Sequence, residues 1–249
     1  MGACRPNPSE KGLEPLVVGM DLSYPPFETI GTDGRPTGIS VEIASALAKE
    51  WGRPLRIENI SFPGLIPSLN SGKVDLVLSS MTATEERRKS VDFSDPYLST
   101  GLCLLVGKEG PIESISDADQ PGKTIAVCRG TTGELYAMHG IHHAKVLVLD
   151  RENQGVMEVV QGKADAFIYD QMSTWKNAEK FSGQARAILE PFQKEEWAIA
   201  FRKGNDTLRE RTNQFLRKFR DEGGFDRLGD EYLSDQKEDF KKRGISFYF

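Results

Sequence analysis

Two polar stretches occupy matching places along the chain. In SSMTATEERRKSVDFSDPY (79–97) a row of hydroxyls and then two arginines follow the apolar run VDLVL (74–78). Further on, VVQGKADAFIYD (159–170) echoes LNSGKVDLVLSS (69–80): Gly-Lys, then Val or Ala, then Asp, then an apolar run. Five residues on from the shared Asp lie Ser80 in one copy and Asp170 in the other. Arg87 carries a planar, fork-shaped cation and Asp170 an anion, the two groups that the carboxylate and ammonium of a free amino acid ask for. Each also has a plainer reading: an ion pair within EERRK for Arg87, and an N-cap ahead of QMSTWKNAEK for Asp170.

Such groups need a scaffold, and the apolar pattern supplies one. Short runs read as strands at 16–20, 55–60, 74–78, 102–106, 124–128, 145–149, 165–169 and 197–201. Between them lie helical patterns. In SVEIASALAKEW, Ile43, Leu47 and Trp51 recur every four positions and predict one packed stripe. Leu208, Phe215 and Phe219, then Phe225, Leu228 and Tyr232, predict two more amphipathic helices parted at Gly223-Gly224. Alternation of this kind predicts an α/β protein with largely parallel sheets. Open α/β sheets bind ligands beyond the carboxyl ends of their strands, which is where Ser80 and Asp170 fall. Two lobes facing one cleft is the arrangement expected.

Composition narrows the classes. The chain has 249 residues, 38% of them hydrophobic and 28% charged, with a net charge of −5 and no basic tract, which argues against a nucleic-acid partner. No run approaches the roughly 20 apolar residues of a membrane span and no intact signal peptide is visible, so a soluble mature chain is expected. The start, MGACRPNPSEKG, reads as the remnant of a bacterial lipoprotein box with Cys4 as the lipidated residue, or else as an expression scar. Cys103 and Cys128 sit in apolar stretches and read as buried thiols. His139, His142 and His143 read as a solvated loop, and neither a metal nor a cofactor is expected.

The motifs YPPFE, GLIPSLNSGKVDLVLSSMTATEERRKSVDFSDPY, GKTIAVCRGTTGE and GKADAFIYD, in this order, resemble those of bacterial family 3 solute-binding proteins. These are the binding components of polar amino acid ABC importers, and the likeness runs from Leu16 to about Leu233. One departure is GISVEIASALAKE where the family reads Gly-Phe-Asp-Val-Asp, a change that touches helix capping more than binding. The resemblance implies a type II periplasmic-binding-protein fold: two Rossmann-like lobes joined by a two-crossing hinge around a cleft. Residues 1–15 would be a tether, 16–97 with 197–249 the larger lobe and 98–196 the smaller, with crossings near 97–101 and 193–197.

The resemblance also assigns roles. Arg87 would grip the ligand carboxylate bidentately, with Thr82 and the Thr132 backbone N–H, while Asp170 and the Ser80 carbonyl take the ammonium. Tyr24 and Phe62 would wall the ligand's stem, and Ser79 and Thr131 would line the pocket. Selectivity would rest on Asp21 and Cys128, with Arg129 able to alter it if it turns inward. Arginine, lysine, ornithine, histidine or glutamine are the ligands expected, delivered to a membrane permease by a monomer in the periplasm or on the outer face of a bacterial membrane. Two alternatives use the same fold: a cyclohexadienyl-dehydratase-like lyase with Glu195, Glu196 or Glu28 as its acid, and the sensing module of a receptor.

Overall fold

A computed structural model describes residues 14–245. Cys4 and most of the expected tether lie outside them. The chain opens with the buried strand β1 (Leu16–Met20) and a small antiparallel sheet of β2 (Ser23–Tyr24), β3 (Glu28–Ile30) and β4 (Pro36–Thr37). Helix α1 (Ile39–Glu50) presents its stripe as expected, burying Ile39, Ile43 and Leu47 while Lys49 and Glu50 face water. Next come β5 (Leu55–Asn59), α2 (Leu65–Asn70), β6 (Leu76–Val77), α3 (Glu85–Arg88) and β7 (Val91–Phe93). The second series runs β8 (Leu98–Gly107), α4 (Ile115–Ala118), β9 (Thr124–Cys128), α5 (Thr132–Gly140), β10 (Lys145–Leu149), α6 (Glu152–Val160), β11 (Ala166–Asp170), α7 (Gln171–Lys180) and β12 (Ala185–Trp197). β13 (Ala200–Arg202) then precedes α8 (Asp206–Asp221), α9 (Gly224–Tyr232) and α10 (Ser234–Lys242).

Two five-stranded sheets result, in the orders β5-β1-β6-β13-β7 and β10-β9-β11-β8-β12. Each is parallel where strand and helix alternate, as in the β1 pairs with β5 and β6 and the β9 pairs with β10 and β11. Each turns antiparallel elsewhere, through β13 against β6 and β7 in one and β8 against β11 and β12 in the other. The expectation of largely parallel sheets is therefore corrected to mixed sheets. The expected strand 197–201 also divides: Trp197 ends β12 opposite Leu98, and Ala200–Arg202 belong to the other sheet. This split carries the chain from one sheet to the other.

Packing explains the close approaches. In α6, a Cβ on Gly155 would lie 2.4 Å from the buried Phe167 ring, so glycine lets the helix settle on its sheet. The last helix reaches across the molecule: Gln236 Nε2 donates to the Met172 carbonyl at 3.1 Å, and Trp175 Nε1 donates to Asp239 at 2.6 Å. Helix α10 thus ties the helices after the first sheet to α7 beside the second.

Candidate functional site

The carboxyl ends of β1, β6, β9 and β11 open onto one cavity between the lobes. It is lined by all eleven residues singled out from the sequence: Asp21, Tyr24, Phe62, Ser79, Ser80, Thr82, Arg87, Cys128, Thr131, Thr132 and Asp170. Backbone hydrogen bonding at strand ends accounts for the convergence, because each parallel strand delivers the loop that follows it to the same edge.

Asp21 binds the neighbouring loops together. Its N–H donates to Ser79 Oγ at 2.9 Å, while its carboxylate accepts from the Phe62 N–H at 2.8 Å and the Ser23 hydroxyl at 2.7 Å. Both carboxylate oxygens are thereby occupied, so Asp21 sets the position of Phe62 as well as lining the cavity. Ser80 is the sole non-glycine with a left-handed backbone among the described residues, at φ 47°. That conformation is uncommon away from glycine, and here it turns the chain where the hydroxyl row enters the cavity.

Arg87 stands on the short helix α3, whose N-cap Thr84 accepts the Arg87 N–H at 3.1 Å. Its guanidinium donates to the Thr82 carbonyl at 2.8 Å and, across the cleft, to the Gly130 carbonyl at 3.0 Å, and it lies 5.3 Å from the Phe62 ring centre. Burial lowers its pKa to about 10, opposed by nearby Glu195. Thr82 Oγ1 donates to Glu195 at 2.9 Å, which draws the base of the arginine toward β12.

On the facing side, Thr131 Oγ1 donates to the Cys128 carbonyl at 2.7 Å, a local turn contact. The N–H groups of Thr132 and Gly133 open α5 with no acceptor among the described residues, so they are free to bind an anion. Asp170 joins two roles. Oδ1 accepts the Met172 and Ser173 N–H groups at 2.9 and 3.0 Å, capping α7, and also accepts the Tyr24 hydroxyl at 2.7 Å. No described residue donates to Oδ2. Burial raises the Asp170 pKa to about 7 despite the Ser173 and Tyr24 hydrogen bonds.

Several lining residues carry no clear signal in the sequence. Glu152, at the start of α6, accepts from Ser173 Oγ and from Asn177 Nδ2, and burial raises its pKa. Tyr169 and Trp197 complete the aromatic wall, Trp197 meeting Tyr24 edge-on at 6.0 Å. Of the three acids weighed for a lyase, Glu28 and Glu195 line the cavity and Glu196 does not. The orientation of Arg129, open in the sequence, is outward: it pairs with Asp150 at 2.9 Å and does not line the cavity. The histidine loop is held by Asp119, which accepts the His142 and His143 N–H groups.

The chain is similar to several known proteins. The L-cystine-binding protein of Escherichia coli is 31% identical over 220 residues, spanning 88% of this chain and 82% of the relative. The L-arginine-binding protein of Pseudomonas aeruginosa is 33% identical over 230 residues, spanning 89% and 88%. A putative ABC transporter binding component from Wolinella succinogenes, solved with lysine, superposes with a TM-score of 0.83 at 33% identity, covering 89% of this chain and 97% of that one. The family model for bacterial extracellular solute-binding proteins, family 3, matches residues 16–235, and the chain belongs to that family.

Proposed function

We propose that the protein binds a free polar L-amino acid outside the cytoplasm, without turning it over, and hands it to the permease of an ABC importer. One observation carries this reading: Arg87, the free α5 N–H groups and the unbonded Oδ2 of Asp170 share one cavity, a set matched to an α-carboxylate and an α-ammonium. Relatives named for arginine and cystine, and the lysine-bound structure, support the class. Among ligands we favour arginine, lysine, ornithine and histidine, then glutamine.

In this reading residues 16–97 with 197–249 form the larger lobe and 98–196 the smaller, and the crossings near 97–101 and 193–197 act as hinges. Ligand held by Arg87 on one lobe and Asp170 on the other favours the closed state, because the open state lacks half of those contacts. The permease then reads closure. Cys4 carries the lipid that keeps a monomeric protein at the membrane. Thermal melts against the twenty amino acids, ornithine, citrulline and cystine test the proposal, since a ligand specific to the folded state raises the midpoint. A rise with one or more of them that disappears in Arg87→Ala is expected; an unchanged rise in that variant overturns the carboxylate assignment.

A further inference from the structure

We propose that Glu28 is the seat for a cationic side-chain end, so that the cavity selects dibasic amino acids and gives up a proton when one binds. The inference rests on the amino-acid-binding reading above and adds the ligand's chemistry at its far end.

Glu28 is 1% exposed and nevertheless lines the cavity. Its partners are hydroxyls only. Ser40 on α1 donates to Oε2 at 2.6 Å, Ser80 to the same oxygen at 3.1 Å, and Ser79 to Oε1 at 3.1 Å. No lysine, arginine or histidine donates to it among the described residues. The other titratable groups acting on it are Asp21, from the turn after β1, and Tyr97, whose hydroxyl is buried beside Ser40 and Ser80. Both are acids. Asp21 differs in that a backbone N–H, that of Phe62, holds one of its oxygens, whereas Glu28 meets hydroxyls alone.

A carboxyl enclosed in this way holds its proton, because burial opposes the charged form more strongly than three hydroxyls support it. Burial raises its pKa to about 8 accordingly. An ammonium or guanidinium brought into the cavity reverses that balance. The carboxyl O–H breaks, the proton leaves to solvent, and a carboxylate remains against the ligand's cation. Glu152, Asp170 and Glu195 line the same cavity and make it a place that attracts a cation. The cations nearby are turned to other partners: Arg87 donates to the Thr82 and Gly130 carbonyls and keeps further N–H groups for a carboxylate, and Lys176, near Glu152, donates to the Pro25 carbonyl at 2.7 Å.

Proton release separates this inference from the reading beneath it. Titration calorimetry of the whole chain at pH 7, with arginine, lysine and glutamine in buffers of differing ionisation enthalpy, counts the protons exchanged. Arginine or lysine is expected to release about one proton more than glutamine, which shares the α-ammonium but lacks the distal charge. In Glu28→Gln that extra proton is expected to vanish and arginine affinity to fall at least tenfold. Binding of arginine with no extra proton in the unmodified chain, or unaltered arginine affinity in the variant, overturns the proposal and leaves amino-acid binding standing. Binding of glutamine alone also overturns it, and failure of every amino acid to bind overturns both readings.

Discussion

Single side chains in this cavity hold the structure and, in the proposed function, also the ligand, and substitutions can separate the two. Asp170 caps α7 through Oδ1 while Oδ2 stays open. Asparagine caps nearly as well as aspartate but carries no charge. Asp170→Asn is therefore expected to melt within a few degrees of the unmodified chain while its amino-acid affinity falls about thirtyfold or more, the cost of unpairing a buried charge. Calorimetry beside a thermal melt reads both. Arg87→Lys keeps the charge and loses the fork, and at least a tenfold weakening is expected by the same titration. Glu28 and Asp170 also make stability depend on pH. Their pKa values in the folded chain, about 8 and about 7, lie above those of an unfolded chain, so the folded state binds more protons between about pH 4 and pH 8. Their contribution is complete below about pH 4 and is lost as pH rises through the folded values. The ligand-free protein is accordingly expected to melt several degrees lower at pH 8 than at pH 5.5, and Glu28→Gln to flatten that dependence.

At the scale of elements, local pattern and close contact set different parts of the fold. The stripe of α1 and the buried runs of β1 and β9 follow directly from their residues, because periodic apolar positions have one way to face a core. β12 does not: ARAILEPFQKEEW mixes Pro191 with charges and is held as a strand by pairing with β8, with a register shift between Ile188 and Gln193. Helix α10 is equally silent in sequence, since SDQKEDFKK carries a single large apolar side chain, Phe240, and gains its place by packing near α7. The small sheet has strands of two or three residues, too short for any period. Gly155 offers a test of contact against propensity. Alanine would favour the helix by about 1 kcal/mol, whereas forcing a methyl against the Phe167 ring costs typically 1–3 kcal/mol. Gly155→Ala is expected to be net destabilising by about 1 kcal/mol, seen as a lower denaturation midpoint with an unchanged slope.

For the whole molecule the question is what holds the lobes together. Among the described residues the bonds between the two sides, without a ligand, include Tyr24 to Asp170, Arg87 to the Gly130 carbonyl, Lys176 to the Pro25 carbonyl and Thr82 to Glu195, beside those that α10 makes with Met172 and Trp175. Bound amino acid would add both ends of a zwitterion to this set. Solution scattering is expected to show a smaller radius of gyration on adding the amino acid that raises the melting temperature, and Lys176→Ala to shift the ligand-free population toward the open form. No change in either would mean that closure does not depend on these contacts. The sequence by itself determined the α/β class, the duplicated strand-end unit that pairs Ser80 with Asp170, and the set of polar residues that meet at the cavity. The first two follow from composition and local period, which adjacent residues carry, and the third from motifs that resemble those of family 3 solute-binding proteins. Only the tertiary structure decided that Arg129 faces away, that Asp21 is occupied by the Phe62 N–H, and that Glu28 is enclosed by serines from separate segments. Burial and partnership of a charge depend on residues remote in the chain, and no local pattern records them.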